Sequence, residues 1–453
     1  MVKLDIKSGK IRQKAYKGNN KEIAMNYLTP DVPPFLEKYY SKFDNIFKEQ
    51  SQRDEFRLYG TGLLLEIKRK NIQYISKHII DSKYQSIHHF MHDSPYDEKA
   101  LNNQRIDMLQ NNRSTKSCKY GYVIIDDTGN PKSGDSTFAT RRQWIGSIGK
   151  VDRGQVVVTS HYADCNKDWA IDHRPYLPEK WVQEANARQN KEVYTFKSKL
   201  ELGLELIDDI IKRGIQYSHL LIDGWYGNSP DFIKGVEERN CKYITALYAN
   251  RRVFFHLPGE PAKNEHYMRD IVIALEDDAF CEVGYTKANG DSYIVYVADM
   301  IIKVKGLGKR RILIAKPSKS EKNLDEIEVL MTNDSDSEVS FLLHSWSFRD
   351  RIDKFYERGK DDLGFDQYQV RDEKPINRHW YMVFLMDSFL IWHRQCGSFG
   401  KWCIKACHTF GELLDVVRTK LMIHFQKWCI ANPEHWSDFL LKEKGVKVAP
   451  LIA

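Results

Sequence analysis

The chain has 453 residues, of which 42% are hydrophobic and 29% are charged, enough for several domains with buried cores. Its formal net charge of +7 suits a polyanionic partner and an ordinary basic protein equally well, so charge alone does not decide between them. There is no run of apolar residues long enough to cross a membrane, and the N-terminus lacks the apolar stretch of a signal peptide. These features predict a cytoplasmic protein.

Residues 1–115 are predicted to be helical and strongly mixed in charge, with apolar residues at helical spacing at Ile72, Ile75 and Ile79. Basic helices ahead of a catalytic core suit DNA docking, and they suit a solvated helical bundle equally well. The sequence leaves both interpretations of this region open.

Residues 116–250 change to a pattern of short apolar runs, the first part of a catalytic core. Turns are predicted at residues 129–132 and 152–154. The runs between them predict three strands in an antiparallel meander, at Tyr120–Asp126, Gln143–Ser147 and Gln155–His161.

Helices and strands then alternate. The predicted elements are a helix over Lys199–Gly214, a strand ending at Asp223, a helix over Pro230–Arg239 and a strand over Lys242–Leu247. Strands linked by helices pair in parallel, so together with the meander they predict a mixed sheet with helices on both faces. That is an α/β fold with a ribonuclease-H-like core.

Residues 251–333 break this alternation and predict an all-β insertion. Its strands are predicted at Arg251–His256, Ile271–Leu275, Phe280–Tyr285, Ser292–Val297, Ile301–Val304 and Arg311–Ile314. A last strand, Glu328–Asn333, is predicted to return to the core sheet. One helix over Ser337–Lys360 then completes the core within residues 334–375, and residues 376–453 form a C-terminal helical region.

Two of the apolar strands run directly into an aspartate. Asp126 follows Tyr-Val-Ile-Ile, Asp223 follows His-Leu-Leu-Ile, and a third acid, Asp353, lies on the last core helix. Three carboxylates brought together would hold Mg²⁺, which prefers oxygen ligands, and two such ions promote phosphodiester cleavage. The competing interpretation is that each aspartate caps a turn or a helix. Spacing alone also leaves a generic metal-dependent phosphatase open.

Two neighbouring acids compete for these roles. Asp127 follows Asp126, but adjacent strand residues face opposite sides, so only one of them can point into the site. We favour Asp126 because it continues the buried run, and we predict that Asp127 caps a turn. Glu357 lies one helical turn beyond Asp353 and is the alternative third ligand.

Two cations share the predicted helix with the third acid. Arg349 lies four residues before Asp353 and Lys360 lies seven residues after it, so all three return to one face. The cations could hold DNA phosphates while the acid binds metal. The alternative is an ordinary surface salt bridge between Arg349 and Asp353.

Eight cysteines are scattered along the chain without a CxxC pair. Cys403, Cys407 and His408 lie close together, but a zinc site needs a second ligand pair, which the sequence does not offer. Buried free thiols are therefore favoured over zinc.

In their order and spacing, several stretches resemble the motifs of the DDE transposases of bacterial insertion sequences, in the branch whose ribonuclease-H-like core carries a β-strand insertion. Residues 126–134 resemble the first-acid motif and residues 222–227 the second. Residues 142–150 and 176–181 resemble the strands and the loop between those motifs. The last motif, Tyr-x2-Arg-x3-Glu-x6-Lys, is matched by Trp346, Arg349, Asp353 and Lys360.

The resemblance implies a cut-and-paste transposase that uses two Mg²⁺ ions, with Mn²⁺ as a substitute. The implied catalytic and metal-binding residues are Asp126, Asp223 and Asp353, and the implied DNA contacts are Trp346, Arg349 and Lys360. The implied partners are double-stranded DNA, as transposon ends and as target, and a second copy of the chain in a homodimer on DNA. Such a protein would associate with the nucleoid in the cytoplasm.

Two positions depart from the family pattern. Trp346 stands at the tyrosine position and keeps an aromatic face that can stack on a base. Asp353 stands at the glutamate position and is shorter by one methylene, about 1.3–1.5 Å of reach. This shorter acid motivates a second hypothesis, a transposase-derived DNA-binding protein with weak or no cleavage. A nuclease that cuts without strand transfer is a third.

Overall fold

The computed structural model describes residues 27–189, 193–256 and 264–444. The N-terminal helices are α1 (Pro34–Tyr40), α2 (Gln50–Leu64), α3 (Ile72–Ser76), α4 (Tyr84–His92) and α5 (Glu98–Gln110). The middle helices are α6 (Glu179–Gln189), α7 (Lys199–Lys212), α8 (Gly224–Gly227), α9 (Pro230–Glu238), α10 (Met268–Ala274), α11 (Val339–Trp346) and α12 (Asp350–Asp361). The C-terminal helices are α13 (Glu373–Gln395), α14 (Phe399–Trp402), α15 (Phe410–Ala431) and α16 (Pro433–Lys444).

The strands of the described residues form one 12-stranded sheet. In the first part of the core they are β1 (Tyr122–Pro131), β2 (Arg141–Ile145), β3 (Lys150–Ala163), β4 (Asp168–Tyr176), β5 (His219–Ile222) and β6 (Tyr243–Ala246). The later strands are β7 (Arg252–Phe255), β8 (Asn264–Tyr267), β9 (Cys281–Thr286), β10 (Ser292–Val304), β11 (Gly308–Lys316) and β12 (Glu328–Thr332).

The strand order confirms the predicted ribonuclease-H-like mixed sheet. Neighbouring strands run in the order β2-β3-β1-β5-β6. Strand β4 pairs with residues 156–163 of β3, beyond residues 150–154, which pair with β2. The β2–β3 and β3–β1 pairs are antiparallel, whereas β1–β5 and β5–β6 are parallel. In the parallel β1–β5 pair Ile125 lies opposite Ile222, so the next residue of each strand emerges at the same edge.

The first strand is longer than predicted. Gly129 pairs with Val156 inside the β1–β3 ladder, and a side chain at Gly129 would collide with Ile145. The predicted turn at residues 129–132 is therefore wrong for residues 129–131, which belong to the strand. Pro131 is the last strand residue, a position where its missing amide hydrogen is tolerated. The turn predicted at residues 152–154 is wrong too, because these residues lie within β3.

The insertion extends the core sheet. Strand β12 pairs with both β6 and β11, which confirms the predicted return to the core. The predicted strands at 292–297 and 301–304 are one strand, β10. The predicted strand Ile271–Leu275 is wrong: this segment lies mostly in helix α10, whose buried residues Met268, Ile271 and Val272 recur at helical spacing.

The predicted single helix over Ser337–Lys360 is two helices. Helix α11 ends at Trp346 and α12 begins at Asp350. Between them Phe348 is fully buried against Tyr122, and the Ser347 hydroxyl oxygen accepts a hydrogen bond of 2.8 Å from the Ala288 amide. These tertiary contacts fix a break that helical periodicity alone does not reveal.

The sheet is covered on both faces. Helices α7, α9 and α10 bury one face together with Val123 and Ile125, whereas Tyr122 and Ile124 face a second core formed with the N- and C-terminal helices. Helix α13 lies at the centre of that second core and is buried nearly all round. No helix within the described ranges has the length and apolar character needed to span a membrane.

A buried ion network fixes helix α12 to its neighbours. The Arg358 guanidinium contacts Asp168 on β4 at 2.6 Å and Asp387 on α13 at 2.7 Å. Asp168 in turn lies 3.1 Å from Nε2 of the buried His161. The helix that carries Asp353 is therefore held by charges inside the core, on the side away from solvent.

Replacing Arg358 with Met should reduce the free energy of unfolding by about 3–5 kcal/mol, because Asp387 would stay buried without its cation. Urea denaturation measures the change. The matched control is Lys354→Met on the same helix, which removes an exposed pair with Asp350 and should change stability by no more than about 1 kcal/mol. Equal losses in the two variants would contradict a structural role for the buried network.

Candidate active site

Asp126 lies inside strand β1 and is 8% exposed. Its Oδ1 accepts a hydrogen bond of 2.8 Å from the amide of Asp127, and its Oδ2 accepts one of 2.7 Å from Nη2 of Arg349. Because side chains alternate along a strand, Asp126 faces the same side as Ile124, toward helix α12.

Asp223 follows β5 directly and begins helix α8. Its Oδ1 accepts hydrogen bonds from the amides of Trp225 at 2.7 Å and Tyr226 at 3.1 Å, which makes it the N-cap residue of that helix. Both bonds fall on one oxygen, so Oδ2 lies outside the cap. The capping interpretation is thus right for Asp223, and the parallel β1–β5 pairing still brings this residue to the same sheet edge as Asp126.

One guanidinium joins the first and third acids. Arg349 donates from Nη2 to Asp126 and from Nη1 to Oδ2 of Asp353, the latter at 2.6 Å. The Asp353 side chain is 52% exposed, whereas that of Arg349 is 26% exposed. The sequence-based alternative, a plain surface pair between Arg349 and Asp353, is therefore incomplete, because the same side chain also reaches the buried Asp126.

The charge of Asp223 contributes to the raised pKa values of both Asp126 and Asp353. Burial raises the pKa of Asp126 well above its ordinary value, Arg349 opposes this, and the charges of Asp223 and Asp127 add to it. Burial also raises the pKa of Asp353; Arg349 opposes that shift as well, and Asp223 contributes to it. A cation bound among these groups would relieve the repulsion that the arginine now partly offsets.

The donor set fits a hard divalent cation in chemistry, because all three candidate ligands supply carboxylate oxygens. Within the described ranges, no group of three or more His, Cys, Asp or Glu side chains converges closely enough to hold a metal ion. At the acids, Arg349 occupies an oxygen of both Asp126 and Asp353. If that guanidinium moved aside, one oxygen of Asp126 and one of Asp353 would be released.

The remaining predicted DNA contacts are engaged within the protein. The Lys360 amino group donates to Thr128 Oγ1 at 2.7 Å and to the Gly129 carbonyl at 2.9 Å, both on β1. The Trp346 indole donates to Glu328 on β12. The structure thus places Lys360 beside the Asp126 strand and Trp346 against the sheet, and their contact with DNA stays a prediction.

The alternative third ligand, Glu357, is exposed on α12 and makes no hydrogen bond or ion pair among the described residues. Asp353, one turn earlier, is joined to Asp126 through Arg349. The geometry therefore favours Asp353 over Glu357.

Asp127 has a role that the sequence did not reveal. It does not cap a turn, because β1 continues past it. Its Oδ2 lies 2.8 Å from the Lys199 amino group and its Oδ1 accepts a hydrogen bond of 3.2 Å from the Tyr226 hydroxyl. Side chains alternate along a strand, so the sequence could have predicted only that Asp127 lies on the face opposite to Asp126. These contacts join β1, α7 and α8 behind the candidate site.

The family described as DDE superfamily endonuclease matches residues 42–269, a range that contains Asp126 and Asp223 and ends before Asp353. The probable transposase for insertion sequence element IS701 from Microchaete diplosiphon is 28% identical over 220 residues, which are 48% of this chain and 55% of that protein. The chain thus spans about half the length of this curated relative.

Two solved structures are similar at low identity. The piggyBac transposase synaptic complex with hairpin DNA, solved by cryo-EM, has 10% identity and a TM-score of 0.44 over 95% of this chain and 88% of that one. The NurA nuclease from Sulfolobus solfataricus has 12% identity and a TM-score of 0.25 over 55% of this chain and 79% of that one. At these TM-scores neither likeness supports an argument about this chain.

The raised pKa of Asp126 predicts how stability depends on pH. The folded state holds this proton more strongly than the unfolded chain, so the free energy of unfolding should fall as the pH rises above the ordinary aspartate value, about pH 4. Asp126→Asn removes this contribution and should make the decline shallower, as measured by urea denaturation between about pH 4 and 7.

The control is Asp152→Asn, at an exposed carboxyl whose pKa is lowered mainly by the Arg153 amide. Because its stabilising contribution is lost only as the pH falls, this variant should leave the slope above about pH 4 unchanged. Parallel profiles for Asp126→Asn and the wild type would contradict the electrostatic description of the site.

Proposed function

Because this chain belongs to the DDE superfamily endonuclease family, we propose that it is a transposase that cuts transposon DNA ends and joins them to target DNA. Two observations support the proposal. The β1–β5 register brings Asp126 and Asp223 to the ends of neighbouring paired segments, and Arg349 is bonded to both Asp126 and Asp353.

The three acids would hold two Mg²⁺ ions, for which Mn²⁺ can substitute. When bound, these ions would activate the attacking oxygen and stabilise charge on the reacting phosphate. The β1–β3 ladder holds the backbone of Asp126 in place, and the helix cap holds Asp223. Asp353, about half exposed on α12, would close the ligand set from the solvent side.

Arg349 would change partners when DNA arrives. Its guanidinium now donates one hydrogen bond to each of two carboxylates, and a guanidinium can instead donate two parallel bonds to a single phosphate. A backbone phosphate could therefore take Arg349 from the acids and leave their oxygens for the metal ions. Lys360 and Trp346 are proposed to contact DNA beside it.

The openness of the site supports a polymeric substrate over a small phosphate ester. Asp353 is 52% exposed and Trp225, two residues after Asp223, is 49% exposed. Small-molecule sites are usually enclosed, and the cavities of about 1470, 510 and 430 Å³ in the described structure are lined by residues other than the three acids. A generic phosphatase is therefore the less suitable function.

Strand transfer needs two ends held together, so we propose a homodimer on DNA. Helix α15 supports this, because Ile423 and Ile430 lie two turns apart and are 43% and 74% exposed. The complex would act at the nucleoid in the cytoplasm.

A DNA-binding protein that no longer cuts is the second candidate. The observation that favours it is that Arg349 fills the space between Asp126 and Asp353, the shorter acid at the glutamate position. If Arg349 stayed there on DNA, the acids would not bind metal ions.

A cleavage assay on the element's ends with Mg²⁺ or Mn²⁺ decides between these functions. We expect Asp223→Ala and Asp353→Ala to reduce cutting on the order of a thousandfold, because each removes a ligand of the proposed ions. Glu357→Ala on the same helix is the control and should cut at close to the wild-type rate.

Cutting that survives Asp223→Ala would refute the three-acid site, and loss of cutting in Glu357→Ala alone would move the third ligand to Glu357. Wild-type protein that binds the ends without cutting would identify the non-cleaving candidate. Cut ends that never join target DNA would identify a nuclease instead of a transposase.

A further inference from the structure

A second surface of the protein is built to take an anion. It is a groove of about 510 Å³ between the α2–α3 connection, the end of β1 and the segment that follows α12. We call it the basic groove; its polar lining includes Lys68, Arg69, Lys132, Thr137, Gln369 and Arg371.

The charges of the basic groove are one-sided. Four cations line it, against a single acid, Asp366. Among the described residues Lys68, Arg69 and Arg371 are exposed and form no ion pair. Several other surface arginines are paired with acids, as in Arg239–Asp208, Arg310–Glu237 and Arg311–Asp299. Uncompensated positive charge gathered in a concave surface attracts a polyanion.

The fold holds one wall of the groove rigidly. Lys70, next to Arg69, is buried, and its amide donates to Gln367 Oε1 at 2.8 Å. The backbone at Gly364 has φ +77°, and a side chain there would lie 2.5 Å from Lys70 Cβ. The α2–α3 connection is therefore pinned to the segment after α12, which keeps Lys68 and Arg69 on the rim.

Lys132 fixes the opposite wall. Its amino group donates to the carbonyls of Asp366 at 2.8 Å and Tyr368 at 3.4 Å, and it lies 3.5 Å from the centre of the Tyr368 ring. The cation–π contact and the two carbonyls hold the amino group in place. Burial lowers the pKa of Lys132 to about 8, so this fixed group carries a positive charge at about pH 7 and below.

One wall of the groove continues the strand that carries Asp126. Lys132 directly follows the last residue of β1 and comes six residues after Asp126, which is about 20 Å of extended chain. Lys360, bonded to Thr128 and Gly129, lies between the two positions.

We propose that the basic groove binds the phosphate backbone of duplex DNA to one side of the scissile phosphate. This inference rests on the proposed function, because it takes the active site as the place where the same duplex is cut. The groove borders the cavity of about 1470 Å³ between α3, α4 and α16, with which it shares Gln369, Val370 and Arg371. The cations of the groove come from three separate segments of the chain, which suits an elongated polyanion better than a small anion.

The larger cavity itself is mixed in charge. Asp81, Asp372, Glu434 and Asp438 line it together with Lys77, Lys83 and Lys442. We therefore assign the phosphate contacts to the basic groove and not to the larger cavity.

The test measures binding of the full chain to a duplex of about 30 base pairs by fluorescence anisotropy, in EDTA and across a salt series. Each cation that contacts a phosphate contributes about one to the slope of log affinity against log salt. Lys68→Gln/Arg69→Gln should lower the slope by about two and weaken binding about tenfold or more, and Arg371→Gln should lower the slope by about one.

The matched control is Arg113→Gln/Lys116→Gln. It removes one arginine and one lysine, both exposed and without ion pairs among the described residues, near the opposite end of β1. This variant should keep the wild-type slope. Thermal melts followed by circular dichroism verify that each variant is folded.

The proposal is overturned if the groove variant keeps the wild-type slope, if the control lowers it equally, or if the wild type does not bind the duplex. Because EDTA prevents metal-dependent cutting, the outcome is independent of catalysis. A chain that binds through the groove but never cuts supports the groove and refutes the proposed cleavage. A groove variant that binds and cuts like the wild type refutes the groove alone.

Discussion

The hydrogen bonds of Arg349 to Asp126 and Asp353 connect the parts of the chain that form this site. It joins a strand in the middle of the sheet to a helix that arrives more than 200 residues later along the chain. From the other side, Arg358 anchors the same helix to Asp168 and Asp387. The helix is thus held in the core by one arginine and turned toward the sheet edge by the other, so the position of the third acid follows from charge as well as from packing.

Burying the Asp126 carboxylate among other acids lowers the stability of the free protein, although the proposed metal site needs this placement. Asp126 is nearly buried and lies in the field of Asp127 and Asp223, and its raised pKa records the free energy that this placement costs. Arg349 offsets part of it in the free protein. A metal ion among the acids, with the arginine on a DNA phosphate, would offset more, so DNA and metal would favour one another's binding. The basic groove would extend that coupling along the duplex.

Periodicity was enough to predict the core, because Val123 and Ile125 bury one sheet face and Ile124 the other, while α7 carries a clear apolar stripe. It missed β4, because Asp168–Tyr176 mixes charged and apolar residues that only its pairing with β3 explains. It misassigned α10, whose short apolar run fits either a strand or a helix. The contacts of Lys360 with Thr128, and of Asp127 with Lys199, join residues far apart in the chain, so no local pattern contains them.

A crystal structure with Mn²⁺ and a duplex bound tests the three-acid site, since the anomalous signal of manganese locates the ions independently of activity. We expect manganese peaks ligated by Asp126, Asp223 and Asp353, with the Arg349 guanidinium on a backbone phosphate. Manganese bound elsewhere, or Arg349 still joining Asp126 to Asp353 on DNA, would contradict it.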